Sequence, residues 1–114
     1  MSTLKVNTLQ DTNGKGFYPA RAWVTFNGTG TVSIHGDGNV DSIVDNGTGD
    51  YTVDFDNDLA TTNYAVAGAV SDSVPYGRVI ALTESPSTAS RRFDIRTGNN
   101  TATDEAYISP IFTE

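Results

Sequence analysis

A four-residue turn sequence, Asn-Gly-Thr-Gly, occurs twice in this chain and constrains its fold more than any other feature. The copies occupy residues 27–30 and 46–49, and each lies beside a run in which apolar and polar residues alternate. Glycine adopts positive φ without steric cost, so Asn-Gly dipeptides favour tight chain reversals. A period of two places apolar side chains on one face of a strand, as in Tyr51, Val53 and Phe55. The pattern predicts antiparallel hairpins with one buried and one solvated face.

Further strand and turn signals recur about every 8–12 residues, the spacing typical of all-β sandwiches and barrels. We predict an all-β fold, an antiparallel β-sandwich of jelly-roll-like architecture with an extended N-terminal arm. Residues 1–19 form the arm and a linker, and residues 20–114 form the sandwich domain. The predicted strands are 22–26, 31–35, 40–45, 50–55, 63–71, 78–83, 92–97 and 105–112.

The predicted core consists of the apolar residues with inward parity in each strand. These are Val24, Phe26, Val32, Ile34, Tyr51, Val53, Phe55, Tyr64, Val66, Val70, Ile80, Leu82, Phe93, Ile95 and Ile108. The strand at 63–71 is apolar on both faces, because Ala65, Ala67 and Ala69 form its other side. Such a strand is expected at the centre of a sandwich or in a subunit interface. Pro110 lacks an amide hydrogen, so the last strand is expected at a sheet edge.

The charge balance excludes several classes of partner. Fourteen acidic residues against seven basic ones give a formal net charge of −7 and a pI near 4.4. Nucleic-acid binding depends mainly on cationic neutralisation of phosphates, so we expect no nucleic-acid partner. No stretch approaches the roughly 18 apolar residues of a membrane-spanning helix, so we expect no membrane insertion. The start of the chain lacks the apolar region of a signal peptide, which predicts synthesis in a cytoplasm.

The first ten residues, MSTLKVNTLQ, combine strand-like alternation with no evident place in the core. A polar, glycine-containing link follows at 10–16. An extended segment with nothing of its own to pack against either frays or adds to the sheet of a neighbouring chain. Leu4, Val6 and Leu9 are therefore the predicted assembly residues of an attachment arm.

Three carboxylates at alternate positions, Asp54, Asp56 and Asp58, are weak candidates for a metal site. Calcium prefers several oxygen ligands, but the glycine and glutamate of an EF-hand loop are missing from the corresponding positions. A solvated strand end explains the same residues. We therefore predict no metal and no cofactor.

No catalytic constellation is visible in the sequence. His35 is the only histidine and lies at a strand end before a glycine turn. A general base needs a nucleophile and an oriented site beside it, and the absence of cysteine excludes a thiol nucleophile. We expect that the protein is not an enzyme. Paired carboxylates that hydrolyse a polysaccharide are an alternative that the sequence leaves open.

Four aromatic residues, Trp23, Tyr18, Tyr76 and Tyr107, have no firm place in the predicted core. Aromatic rings are favoured at recognition surfaces because they bury a large area at low entropic cost. Trp23 has parity opposite to the core residues of its strand, so it either contacts a partner chain or lies beneath a loop. Tyr76, Tyr18 and Trp23 are the candidate ligand or receptor contacts.

Three of the seven basic residues, Arg91, Arg92 and Arg96, fall in one predicted strand. Arg92 and Arg96 share a face with Asp94. Because the chain is acidic overall, we expect these arginines to pair with acids across strands.

Several segments resemble a family of small tail-fibre and virion structural proteins of tailed phages, especially marine and cyanobacterial ones. The matching text is MSTLKVNTLQ at 1–10, ARAWVTFNGTGTV at 20–32, GNVDSIV at 38–44, NGTGDYTVDF at 46–55 and NYAVAG at 63–68, with further likeness at 93–97 and 107–112. The resemblance implies that the N-terminal segment attaches the protein and that the β-domain is a trimerising tip or a decoration module.

The expected function is that of a virion structural protein, a homotrimeric tail-fibre or tip component that mediates attachment to the host surface. Its expected partners are copies of itself, other virion proteins and a host-surface glycan, and its expected location is the phage particle. The first alternative is a capsid decoration protein that stabilises the head through residues 1–16. A polysaccharide-degrading enzyme is the second alternative.

Overall fold

The structure, a computed structural model, describes residues 2–16, 20–71 and 77–113. Eight β-strands form two antiparallel four-stranded sheets, with the order β2-β1-β8-β5 in the first sheet and β3-β4-β7-β6 in the second. The strands are β1 (Ala20–Asn27), β2 (Ser33–Gly38), β3 (Val40–Gly47), β4 (Asp50–Phe55), β5 (Ala65–Val70), β6 (Arg78–Leu82), β7 (Ser90–Thr97) and β8 (Ile108–Thr113). The predicted all-β sandwich is confirmed, whereas the jelly-roll connectivity and the N-terminal attachment arm stay predictions.

The β3–β4 hairpin follows the sequence signal most closely. Its second strand spans Asp50–Phe55, the predicted range. In the turn, Gly49 has a φ of 64°, and a Cβ on it would lie 2.7 Å from the Ile95 carbonyl oxygen and from the Thr103 amide nitrogen. Both the backbone conformation and the close approach of neighbouring backbone therefore require glycine at this position.

Aromatic side chains from both sheets meet edge to face in the core. The Phe26 ring of β1 lies 5.1 Å from the Tyr51 ring and 6.3 Å from the Phe93 ring, measured between centroids. The Phe112 ring of β8 lies 5.1 Å from the Phe55 ring. This geometry suits the ring quadrupoles and adds to the energy of area burial. All five rings are buried, which confirms the inward parity predicted for β1, β4 and β7.

The Tyr51 hydroxyl joins the two sheets at one end of the sandwich. It donates to Asp104 Oδ1 at 2.6 Å, and the Gly28 carbonyl oxygen lies 3.0 Å from it. A Cβ on Gly28 would collide with this hydroxyl and would lie 2.8 Å from Ile108 Cδ1. Burial, and next the Asp104 carboxylate, raise the pKa of Tyr51 above its ordinary value. The neutral phenol is therefore part of the folded structure.

Pro110 lies in an inner strand, and the prediction of an edge position was wrong. β8 runs between β1 and β5, and Pro110 is fully buried opposite Gly68. Pairing with β5 is continuous through Pro110, whereas pairing with β1 has no partners between residues 108 and 111 of β8. Pro110 has no amide hydrogen to donate, and it falls in the stretch of β8 that has no partner on β1. An inner strand can therefore accommodate it.

Two strands at one side of the sandwich also differ from prediction. β5 is an edge strand that pairs with β8 alone, so its apolar character does not reflect a central position. Leu82 was predicted in the core but is 48 % exposed. Its side chain has inward parity opposite Phe93, but β6 is the edge of the second sheet, and none of the described strands lies beyond it. The other predicted core residues are buried or pack against the core.

Residues 2–16 lie outside both sheets. Within them, Asp11 closes a turn. Its carbonyl oxygen accepts from the Gly14 amide at 3.1 Å, and its Oδ1 accepts from the Asn13 and Lys15 amides at 2.9 Å. Residues 2–10 are exposed throughout, and Leu4 is 83 % exposed. The radius of gyration is 15.6 Å, against about 13 Å for a compact domain of this length. The segment therefore projects from the sandwich.

Candidate assembly interface

The outer face of the first sheet carries two adjacent rows of residues without charge. Each row holds one residue from each of β2, β1, β8 and β5. One row is Gly38, Trp23, Ile111 and Ala67, and the other is Gly36, Thr25, Ser109 and Ala69. Strand pairing joins the members of the first row, whereas in the second row Thr25 and Ser109 are neighbours through their hydroxyl oxygens, which lie 3.1 Å apart. We call these eight residues the uncharged face.

Two glycines let the Trp23 indole lie flat on this face. A Cβ at Gly38 would lie 2.8 Å from Trp23 Cδ1, whereas a Cβ at Gly36 would lie 3.6 Å from Trp23 Cη2. The ring therefore occupies the space that side chains on β2 would take. Trp23 keeps 43 % of its surface exposed and the neighbouring Ile111 keeps 42 %. The result is a flat apolar surface in contact with water.

The polar side chains of the uncharged face satisfy each other. Thr25 Oγ1 and Ser109 Oγ lie 3.1 Å apart on neighbouring strands, within hydrogen-bonding distance. A hydroxyl with a protein partner costs less to remove from water than an unpaired one. A second surface can therefore cover this pair without leaving both groups unsatisfied.

An aromatic pair extends the exposed surface beyond one end of the uncharged face. The rings of His35 and Tyr107 stack with centroids 5.1 Å apart and an interplanar angle of 29°. The Tyr107 amide donates to Ser71 Oγ at 3.1 Å. Tyr107 therefore has a fixed place beside β8, and its ring is largely exposed.

The outer face of the second sheet combines paired charges with two exposed valines, Val44 and Val79. Arg92 donates to both carboxylate oxygens of Asp50, from Nε at 2.9 Å and from Nη2 at 2.6 Å, and to Glu84 Oε1 from Nη1 at 2.7 Å. Arg96 donates to Asp94 Oδ2 at 2.7 Å. We call these five charged residues the ionic face. The expected pairing with an acid across strands is confirmed for Arg92, whereas Arg96 pairs with an acid of its own strand.

The bidentate contact changes the acidity of Asp50. Hydrogen bonding from Arg92 is the largest influence, and it holds the pKa of the Asp50 carboxyl below its usual range. Arg91, the third arginine of the strand, has inward parity: it is buried, with its guanidinium carbon 6.0 Å from the centre of the Tyr64 ring. One strand thus divides its cations between the core and the ionic face.

The three carboxylates of the candidate metal site do not come together. Asp54 accepts from Ser42 Oγ at 3.2 Å, whereas Asp56 and Asp58 line a surface depression with Asn39 and other residues. In the part of the chain that the structure describes, no group of three histidine, cysteine or acidic side chains is placed to hold a metal ion.

Hydrogen bonds from the Asn39 side chain hold together the segments that line this depression. Its φ is 60°, and its Nδ2 donates to the carbonyl oxygens of Arg21 at 3.1 Å and Asn57 at 3.0 Å. Its Oδ1 accepts from the Asn57 amide at 2.8 Å. These bonds tie the turn after β2 to the end of β4 and to β1.

The structure places the sequence-predicted site residues in different regions. Trp23 is on the uncharged face, and Leu4, Val6 and Leu9 are exposed in the segment at 2–16. Tyr18 and Tyr76 lie outside the described residues. Sequence reasoning missed Ile111 and Ala67 as neighbours of Trp23. Their parity was readable, but only the register across three strands brings them together.

Comparisons with protein-family models, with curated proteins and with solved structures found no match. Among residues 2–16, 20–71 and 77–113, no helix is long and apolar enough to cross a membrane. The uncharged face and the exposed N-terminal segment are the two features of the molecule that bear on its function.

Proposed function

We propose that this chain is a virion structural protein of a tailed phage and that it works as a homo-oligomer whose copies meet through the uncharged face. Within that class, the proposal is a homotrimeric tail-fibre or tip component that mediates attachment to the host surface. One observation carries it. Trp23 and Ile111 lie exposed side by side on a face without charge, in a chain whose formal net charge is −7.

Electrostatics favours the uncharged face over other surfaces as a contact between copies. Two acidic molecules repel each other wherever carboxylates lie in the contact. On the uncharged face this repulsion is weakest, and burial of apolar surface contributes about 25 cal/mol per Å². Closed cyclic symmetry lets every copy use the same surfaces, so all copies are satisfied equally.

Attachment requires a further surface that the contact between copies leaves free. Tyr76 and Tyr18, which fall outside the strands predicted from the sequence, are the proposed contacts with a host-surface glycan. A trimer presents three copies of each. Weak single contacts then add through avidity, which needs no new contact within each copy.

Size-exclusion chromatography with light scattering tests the assembly. We expect a mass near three times the 12.1 kDa of one chain at micromolar concentration. A stable mass of 12.1 kDa contradicts the proposal. Fluorescently labelled protein then separates the two virion roles: staining of susceptible cells supports the tip component, whereas binding to expanded capsids without binding to cells supports the decoration protein.

The decoration role is favoured by the N-terminal segment. Leu4, Val6 and Leu9 are exposed there, and an exposed segment with three apolar side chains suits a clamp on neighbouring capsid subunits. This role needs no glycan ligand. Loss of capsid binding on deletion of residues 2–10 would identify it.

The enzyme alternative rests on the surface depression, where Asp56 and Asp58 share one lining. Hydrolysis of a glycoside needs two carboxyl groups across one groove. Release of reducing sugar from host envelope, lost in Asp56→Asn or Asp58→Asn, would establish this activity and overturn the structural role.

A further inference from the structure

The uncharged face is too small to hold a stable assembly on its own. Four strands spaced about 4.8 Å apart and six residues long give a flat area of roughly 400 Å². Stable interfaces bury about 800 Å² on each partner. A homo-oligomer of this chain therefore needs a second contact between copies.

In the part of the chain that the structure describes, β5 and β6 have the least protected edges of the sandwich. Natural sheets protect their edges with charges, prolines or bulges. β2 carries Asp37 and a register shift, and β3 carries Asp41 and Asp45 and two shifts, whereas β6 pairs without a shift and its one charged side chain, Arg78, is buried against Glu105. β5 has the sequence AVAGAV and pairs with β8 without a shift. It therefore offers a regular ladder to another strand.

The direction of the peptide groups in β5 follows from one hydrogen bond. The Ser71 amide donates to the Tyr107 carbonyl oxygen at 2.8 Å, so residue 71 points its backbone polar groups toward β8. Peptide groups alternate in direction along an antiparallel strand. The amides and carbonyls of Val66, Gly68 and Val70 therefore point to the open edge, where a fifth strand would bond to them.

Apolar side chains surround this edge. Val66 and Val70 are partly buried against the core, and a Cβ on Gly68 would lie 2.8 Å from Ile80 Cδ1 of β6. The edges of the two sheets thus lie together on one side of the sandwich. Leu82 is half exposed at the rim. A strand added to β5 would place alternate side chains over this apolar rim.

Residues 2–10 have the properties that such a strand requires. They span about 30 Å when extended, against about 20 Å for the six residues of β5. Leu4 and Val6 have the same parity and are both exposed. Lys5 is the one charged residue of the segment, so it brings no carboxylate to an acidic chain.

We propose that residues 2–10 of one copy add to β5 of a neighbouring copy as a fifth strand of its first sheet. Leu4 and Val6 face Leu82 and the partly buried residues of β5, and Lys5 and Asn7 lie beside the outward alanines. The occupant comes from another copy because the segment projects from its own sandwich. This inference rests on the proposed self-assembly and names the contact that holds it.

Mixing single-cysteine variants tests the strand addition, because the chain has no cysteine of its own. Asn7→Cys protein is mixed under mild oxidation with Ala65→Cys, Ala67→Cys or Ala69→Cys protein. Residues paired across strands have Cβ atoms about 4.5–5.5 Å apart, close enough for a disulfide after a small adjustment. Val44→Cys, on the outer face of the second sheet, is the control with similar exposure. We expect at least one alanine position to give roughly tenfold more linked dimer than the control.

Three outcomes separate this inference from the proposed function. If the full chain assembles and deletion of residues 2–10 leaves its mass unchanged, with no alanine position above the control, strand addition is overturned and the self-assembly stands. If the full chain is a monomer, both fail. If a chain carrying both Asn7→Cys and Ala67→Cys links only within itself, the segment belongs to its own edge and the exchange between copies is wrong.

Discussion

The two outer faces of the sandwich share one strand geometry and differ in chemistry. On the ionic face, charged side chains of β4 and β7 pair with each other, and Arg92 binds Asp50 with two hydrogen bonds. On the uncharged face, Trp23, Ile111 and Ala67 lie in one row with no charge among them. Surface ion pairs contribute little to stability, so the charges of the ionic face are better explained as a surface that stays in contact with water. The uncharged face lacks that explanation, and we therefore propose it as the surface that another copy covers.

Ile111→Lys should have the largest effect, because it puts a charge at the centre of the proposed contact. A buried charge without a partner costs several kcal/mol, and about 2 kcal/mol already weakens association roughly 30-fold. Sedimentation velocity should show mostly monomer at concentrations where the unmodified chain assembles.

Val44→Lys is the matched control for this change. Val44 is 44 % exposed on the outer face of the second sheet, so the two positions differ in face and hardly in exposure. We expect its association to match that of the unmodified chain. Equal losses from both variants would remove the distinction between the faces.

Tyr51→Phe tests the link between the sheets on which both faces depend. The Asp104 carboxylate and the Gly28 carbonyl lose their shared partner, so the free energy of unfolding should fall by about 1–2 kcal/mol. Urea unfolding at pH 7 measures the loss. Tyr107→Phe, at an exposed ring, should change stability little.

The pH dependence of the same variant has a definite sign. The folded pKa of Tyr51 is raised by burial, so its stabilising effect is present below the ordinary tyrosine pKa of about 10 and is lost as the pH rises above it. The unmodified chain should lose stability above about pH 10 more steeply than Tyr51→Phe. Equal slopes would show that the hydroxyl is not held as described.

Gly38→Ala tests whether glycine at this position lets the Trp23 indole lie flat on the sheet. The added Cβ would lie 2.8 Å from Trp23 Cδ1, so the indole has to move away from β2. We expect a loss of about 1 kcal/mol in unfolding free energy and a change in tryptophan emission, since Trp23 is the only tryptophan. Gly36→Ala, with its nearest contact at 3.6 Å, should leave the emission unchanged.

Asp50→Asn should have the smallest effect and concerns the ionic face alone. The folded pKa of Asp50 is lowered by Arg92, so its contribution is present above the ordinary aspartate pKa of about 3.9 and is lost as the pH falls through the folded value. The difference between variant and unmodified chain in urea should be small at pH 7 and should shrink toward pH 3. Asp37→Asn on β2 is the control. Association should be unaffected by either change.

The local sequence predicted strands and parity well, because turns and alternation are short-range signals. The Asn-Gly turn before β4 and the alternation of Tyr51, Val53 and Phe55 determined that strand and its buried face. Pro110 and Leu82 were placed wrongly, because both depend on which strand lies alongside. That neighbour is set by packing between residues far apart in sequence.

The candidate interface was only half readable for the same reason. Parity alone showed that Trp23 faces away from the core. Its row also needs Gly38, Ile111 and Ala67, which come from three other strands and meet only through the register of the sheet. The ionic face was easier to predict from the sequence, because Arg92, Asp94 and Arg96 alternate within one strand and therefore share a face.

The emission of Trp23 tests the central claim most directly, because this single indole lies in the uncharged face. As protein concentration rises through the range in which light scattering shows assembly, emission should shift to the blue and quenching by acrylamide should fall. Assembly without either change would mean that the copies meet elsewhere and that the uncharged face is not their interface.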